Sequence, residues 1–215
     1  MRVCVFGDVH GNLLALERLV SATEGSVDSY LCLGDVVNYG PFNDECLQVV
    51  SSLPRITLLE GNHERLFLGT SDVESEPPLV RDFFGHSRAS FSCDDLIRGL
   101  PRTCSLNTFQ CEHTISDRRI YADTPIYIDG DRLIGHTHHQ YRVERSGFVL
   151  LNPGSVGQNR RWIDVVDYAV LDTETGEVEL LSARYDVDAF IAEMRARHYS
   201  ESCLSYYADK PRRGA

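Results

Sequence analysis

The chain reads as an α/β protein whose N-terminal half alternates strand and helix and whose C-terminal half is rich in short strands, the two sharing one core. Two observations predict this. Three short apolar runs near glycines are separated by segments with helical apolar spacing, the order that builds a parallel sheet with helices on its faces. From Thr103 onward that spacing gives way to strand-like runs joined by turn sequences.

The elements follow in order. Arg2 to Phe6 is apolar and stops at Gly7, as a buried strand does. Leu13, Leu14, Leu16, Leu19 and Val20 share one face of a helix. Ser29 to Leu33 is a second strand, Phe42 to Ser52 a second helix, and Ile56 to Leu59 a third strand before Glu60-Gly61. Thr70 to Pro78 is acidic and closed by two prolines, which predicts a surface loop. Leu79 to Leu100 predicts a mostly helical stretch bent at Gly85 and stopped by Pro101. Strands are predicted over Thr103 to Gln110, Arg132 to Ile134, Tyr141 to Arg145, Phe148 to Leu151, Tyr168 to Asp172 and Val178 to Arg184. Ser146-Gly147 and Thr175-Gly176 suit hairpin turns. Asp186 is placed to cap a last helix ending at Arg197. Residues 1–198 are expected to form a single domain and 199–215 a C-terminal tail, basic and frayed from Lys210 onward.

Composition narrows the function. The chain has 215 residues, 42% hydrophobic and 25% charged, as an ordinary globular protein has. No apolar run approaches the roughly 20 residues that span a bilayer, and Met1 to Phe6 is too short for an export signal. With 21 Lys and Arg against 32 Asp and Glu, the net charge of −11 argues against stable nucleic-acid binding. Seven scattered cysteines without a CxxC pair read as free thiols in a reducing compartment, so a cytoplasmic location is expected. The oligomeric state is left open.

The chemistry-bearing residues gather where strands end, which is where open α/β sheets place their sites. Asp8-Val9-His10 follows the first strand, and alternate residues of an extended segment would point the same way. Gly34-Asp35 follows the second strand, Gly61-Asn62-His63-Glu64 the third, His113 the Thr103 strand, and Gly135-His136-Thr137-His138 the Arg132 strand. Oxygen and imidazole donors without thiolate suit manganese, iron, zinc or nickel. There are more donors than one ion uses, so two divalent metal ions sharing a carboxylate are expected. Each motif alone has a plain structural explanation; the ordered set does not.

GDVHGN (Gly7 to Asn12), GDVVNYGP (Gly34 to Pro41), GNHE (Gly61 to Glu64) and GHTH (Gly135 to His138) resemble the signature blocks of calcineurin-like metallophosphoesterases. NPGSVGQ (Asn152 to Gln158) resembles a block of the small YfcE-like phosphodiesterase branch. The resemblance runs from about Arg2 to Arg184 and implies two mixed β-sheets packed as a sandwich flanked by helices, the four-layer αββα metallophosphoesterase fold. It implies Asp8, His10 and His138 as ligands of one metal, Asn62, His113 and His136 as ligands of the other, and Asp35 as the bridge. It implies His63 as the catalytic residue that meets the phosphate and assists the leaving group. Two departures stand out. His113 lies in Glu-His-Thr where the family shows His-Gly, and Tyr39 follows Asn38 where other branches carry a phosphate-gripping Arg. The short stretch from His113 to His136 also suggests a reduced cap and an open site.

The expected activity is hydrolysis of a small phosphoester, a phosphodiester or nucleotide-like substrate, by a metal-bridging hydroxide with His63 at the leaving oxygen. A dinucleoside polyphosphate hydrolase or a protein phosphatase is the alternative within enzymes, disfavoured by the missing Arg; a non-catalytic scaffold on the same fold is the alternative outside them. Four further residues are weaker candidates for the substrate or for supporting the site. Asn12 either touches the site or caps the first helix, and Glu64 either orients His63 or sits in a helical first turn. Arg160 and Arg161 follow the NPGSVGQ loop and either reach a phosphate or stay solvated.

Overall fold

The computed structural model describes residues 1–214. Strands β1 (Arg2–Phe6), β2 (Ser29–Cys32) and β3 (Ile56–Leu58) run parallel. The long β9 (Val165–Asp172) and β10 (Val178–Arg184) return antiparallel beside β1, giving the order β10-β9-β1-β2-β3. The second sheet contains β4 (Thr103–Leu106), β5 (Phe109–Glu112), β6 (Arg132–Leu133), β7 (Gln140–Arg145) and β8 (Phe148–Pro153), in the order β4-β5-β6-β8-β7. Here β5, β6 and β8 are parallel, while β4-β5 and β7-β8 are antiparallel. Both sheets are mixed, and helices flank the pair.

Strand alternation explains the layers. Val3 and Val5 of β1 join Leu31 and Leu33 against Phe109, Cys111, Leu133 and Leu151 of the second sheet. Cys4 and Phe6 point the other way, into the larger core with Leu16, Leu19, Leu47 and Phe190. Those come from α1 (Leu13–Thr23), α2 (Asn43–Ser52) and α6 (Val187–Ala196). The outer face of the second sheet is covered by Ile120 and Ile128, packed with Ile134 and Leu150.

Three local expectations are corrected. Thr103 to Gln110 is not one strand: the chain turns at Asn107, with a φ of 55°, and β4 and β5 form a hairpin. The Leu79 to Leu100 stretch does not bend at Gly85, which lies inside α4 (Pro78–Arg88). It breaks after Arg88, where Phe91 turns into the core and the Ser92 and Cys93 amides donate to Asp44, before the short α5 (Asp94–Ile97). Residue 215 lies outside the described residues, and of the expected tail 199–215 the described residues 199–214 are not free. They carry α7 (Glu201–Ala208), capped by Ser200 and burying Cys203, Leu204 and Tyr207. Beyond it, Pro211 O accepts from Ile163 N at 2.9 Å and Arg213 N donates to Asp164 at 2.8 Å. No helix among the described residues is long and apolar enough to cross a membrane.

Candidate metal centre

The site lies where the strands of both sheets end, but its ligand-bearing loops are not extended. Asp8, His10, Asp35, His136 and His138 have φ values of 52°, 53°, 53°, 69° and 59°. The expected convergence of Asp8 and His10 is therefore produced by left-handed residues, which side-chain-bearing residues adopt at a cost. Cross-loop bonds hold these conformations: His10 N donates to Asp35 O at 3.1 Å, Gly11 N to Val36 O at 2.8 Å, and His136 N to Asp8 Oδ2 at 3.1 Å. Gly61 passes so close to this region that a Cβ there would collide with the Asp35 side chain. Asn62 begins α3 (Asn62–Phe67), and Asp35 Oδ1 accepts the His63 amide at 2.9 Å.

The side chains then meet acceptor to acceptor. His10 Nδ1 lies 3.1 Å from Val37 O and His138 Nδ1 3.1 Å from Gln158 O. A carbonyl only accepts, so each Nδ1 carries the proton and each Nε2 presents a lone pair. Those two Nε2 atoms face one another at 3.1 Å, with Asp8 Oδ1 3.4 Å from that of His138. The second group repeats the pattern. His113 Nδ1 lies 3.0 Å from Leu33 O, which turns its Nε2 toward Asp35 Oδ2 at 3.1 Å, Asn62 Oδ1 at 3.0 Å and His136 Nδ1 at 3.3 Å. Asp8 Oδ1 and Asp35 Oδ2 are buried and receive no hydrogen bond among the described residues. Buried lone pairs in such proximity need a positive charge among them. Divalent cations fit this donor set, and the ligand atoms of Asp8, His10 and His138, and of Asp35, His113 and His136, lie close enough to hold them.

Protons alone satisfy the site unevenly. Burial pushes the Asp8 carboxyl up, into the range where it keeps its proton. For Asp35 burial acts the same way, but the charges of His113 and His63 overcome it and hold this carboxyl well below its usual range. Burial alone would lower His113, yet the charge of the Asp35 carboxylate, 3.1 Å from its Nε2, carries it up to about 9. Burial lowers His10, His63 and His138, and with the His113 charge it brings His136 down to about 4.

The remaining candidates separate. Asn12 is the helix cap: its carboxamide oxygen accepts from Ala15 N at 3.1 Å, and its nitrogen donates to Gly157 O and Tyr185. Glu64 does not orient His63. Its carboxylate accepts from the amides of Asp35, Val36 and Gly61 at 2.8 Å each and of Val37 at 3.3 Å, which shapes the Asp35 loop. Arg160 lines the cavity of about 640 Å³ that also exposes Asp35, Asn62, His63, His136 and His138. Arg161 lines a neighbouring cleft and lies against Trp162. Sequence reasoning missed Asn38, whose amide meets His63 Nδ1 at 2.9 Å, and noted Tyr39 only as standing where other branches carry an Arg, although its ring walls the cavity. Thr114, Asp117, Arg119 and Tyr121 form another wall, so the short stretch after His113 borders the site rather than leaving it open.

A sandwich of two mixed sheets with clustered Asp, Asn and His donors at its strand ends defines a metal-dependent phosphoesterase. The model of the calcineurin-like phosphoesterase superfamily domain matches residues 1–176, and the chain belongs to that superfamily. It is 25% identical to an uncharacterized protein of Methanocaldococcus jannaschii, over 86% of this chain and 88% of the relative. A crystal structure of a metallophosphoesterase from Sphaerobacter thermophilus matches with a TM-score of 0.79 and 26% identity, covering 97% of this chain and 98% of that one. A hypothetical protein from Pyrococcus horikoshii shares the fold at a TM-score of 0.78 and 17% identity, covering 96% and 97%.

Proposed function

We propose that the chain hydrolyses a small phosphoester, with phosphodiesters or nucleotide-like esters as its preferred class, at a centre of two divalent cations. The observation that carries this reading is the pair of buried, donor-free carboxylate oxygens, Asp8 Oδ1 and Asp35 Oδ2, each facing imidazole lone pairs. Asp8, His10 and His138 would hold one cation, Asn62, His113 and His136 the other, and Asp35 both. Manganese, iron, zinc and nickel suit these donors. When bound, such cations supply Lewis acidity toward phosphoryl oxygens and lower the pKa of a water.

The chain's own residues do the rest. The carbonyls of Val37, Gln158 and Leu33 fix the tautomers of three ligand imidazoles, and Glu64 holds the Asp35 loop. His63 opens onto the cavity and donates a proton or a hydrogen bond to the departing oxygen. Tyr39, not a cation, follows Asn38, and the cavity offers the rings of Tyr39 and Tyr121 to a second ester arm. All seven cysteines are free thiols and five are buried, which supports work in a reducing cytoplasm, and the net charge of −11 supports a small-molecule substrate rather than nucleic acid.

The test is elemental analysis of protein reconstituted with manganese, nickel, zinc or magnesium, followed by kinetics on bis-nitrophenyl phosphate and nitrophenyl phosphate. Two equivalents per chain and a higher kcat/KM for the diester are expected, with turnover abolished in Asp35→Asn while the fold survives. Saturation at one equivalent removes the shared role of Asp35. A monoester kcat/KM tenfold above the diester overturns the substrate class.

A further inference from the structure

Helix α7 touches two residues of the cavity wall, Arg160 and Tyr39, through the side chain of Tyr206. The Tyr206 hydroxyl accepts from the Arg160 guanidinium and donates to Gln158 Oε1 at 3.1 Å. Arg160 Cζ lies 5.7 Å over the Tyr206 ring, and Lys210 Nζ lies 3.5 Å from that ring's centroid. Gln158 is fully buried and its carbonyl orients His138, so one run of contacts joins a ligand imidazole to the cavity wall. Arg160 lines the cavity with His63 and His138. Arg65, on the same cavity, is already neutralised by Asp117 at 2.6 Å. The Arg160 partner is a neutral phenol, which leaves its charge for an anion.

We propose that Arg160, positioned by Tyr206, is a guanidinium that binds the non-bridging oxygens of the substrate phosphoryl group and tunes the enzyme's discrimination between monoester and diester. This rests on the reading of the cavity as the phosphoester site. A guanidinium fork matches two phosphoryl oxygens, and a monoester dianion gains more from it than a diester monoanion. The place after Asn38 holds Tyr39, so the contact comes from the loop between β8 and β9 instead. Tyr206 acts only through Arg160, by holding the long side chain in one orientation toward the cavity.

The experiment compares Arg160→Ala, Arg160→Lys, Tyr206→Phe and the double variant Arg160→Ala/Tyr206→Phe under one metal. Inorganic phosphate serves as a competitive inhibitor, and metal content is measured alongside. Charge-assisted hydrogen bonds of about 1.5–3 kcal/mol correspond to a loss of roughly tenfold or more. Arg160→Ala should therefore raise the Ki of phosphate by about tenfold and lower kcat/KM for nitrophenyl phosphate about tenfold more than for bis-nitrophenyl phosphate. Arg160→Lys should recover part of both. Tyr206→Phe should raise KM in the same direction by less, and have no further effect once Arg160 is Ala. The proposal is overturned if Arg160→Ala leaves the Ki unchanged, lowers metal content, or affects both esters equally, or if Tyr206→Phe keeps its full effect in the Arg160→Ala background. If the wild type cleaves neither ester, the functional reading fails by itself. Calorimetry of inorganic phosphate with metal-loaded wild type and Arg160→Ala then decides: a tenfold weaker variant supports the contact and equal binding removes it.

Discussion

The side-chain amide of Asn38 stands 2.9 Å from His63 Nδ1 and determines which nitrogen of that ring carries the proton. Asn38 Oδ1 is engaged by the Tyr39 amide at 2.8 Å, so the nitrogen of the carboxamide is the atom turned to His63. That nitrogen only donates. His63 Nδ1 therefore accepts, and the proton resides on Nε2, which lies 3.8 Å from Asp35 Oδ2. Burial lowers the pKa of His63, so the ring is neutral near pH 7 with its one N–H on Nε2.

Asn38→Asp should undo this arrangement. A carboxylate beside Nδ1 stabilises the charged ring and raises the His63 pKa. Above that pKa the remaining proton moves to Nδ1 and Nε2 loses its donor. The kcat of Asn38→Asp should fall at high pH by roughly 10²-fold, toward the value of His63→Ala, with metal content unchanged. A kcat–pH profile coincident with that of the wild type would show that the Nε2 proton is not used.

Glu64 is the second residue whose role is carried by hydrogen bonds alone. Its two carboxylate oxygens accept four amides in a fully buried position. Glu64→Gln keeps the shape but turns one acceptor into a donor, leaving amides of the Asp35 loop unpaired. Each costs about 1–3 kcal/mol when buried. The urea midpoint should drop with an unchanged m-value, and metal affinity should weaken because Asp35 is no longer held. Wild-type stability in Glu64→Gln would mean that the loop satisfies its amides elsewhere.

The C-terminal segment makes a third prediction. Tyr207 is fully buried, its ring 5.0 Å from that of Phe190, and its hydroxyl accepts from Gln158 Nε2 at 3.1 Å. Tyr207→Ala should cost about 3–5 kcal/mol and Tyr207→Phe about 1 kcal/mol. Chemical denaturation measures both. A change below about 1 kcal/mol in Tyr207→Ala would return this segment to the status of a dispensable tail.

Much of the fold was legible because each strand of the first half is short, apolar and closed by a glycine, and because Asp186 caps its helix as its position suggests. The clustering of seven candidate ligands was legible from motif order. What stayed hidden depended on contacts distant in sequence. Helix α7 has a signal, with Ser200 capping and Cys203, Leu204 and Tyr207 at helical spacing, but its eight residues are amphipathic only relative to α4 and α6. Asn38 and Gln158 look like loop polar residues until the fold sets them against His63 and His138. The left-handed backbone at Asp8 and His10 is not encoded by glycine, so period-two reasoning reached the right side chains through the wrong conformation.

The last prediction concerns protons. In the metal-free protein the Asp35 carboxylate carries His113 up to about 9 against the opposing effect of burial, so at pH 7 this imidazole is charged. A raised histidine contributes stability that is fully present below its unfolded value near 6.5 and is lost as pH rises through about 9. His136 behaves oppositely. Burial and the His113 charge lower it to about 4, so its contribution is lost as pH falls from about 6.5 toward 4. A cation needs His113 neutral, so binding must expel that proton. Burial raises Asp8 as well, and its proton leaves by the same route. Metal titration at pH 7 should therefore release at least one proton per chain, read as a dependence of calorimetric enthalpy on buffer ionisation. Affinity should rise about tenfold per pH unit for each proton displaced until pH passes about 9. Enthalpies independent of buffer would show that the imidazole beside Asp35 is already neutral, and that the buried acceptors are reconciled in the metal-free protein by some means other than a proton.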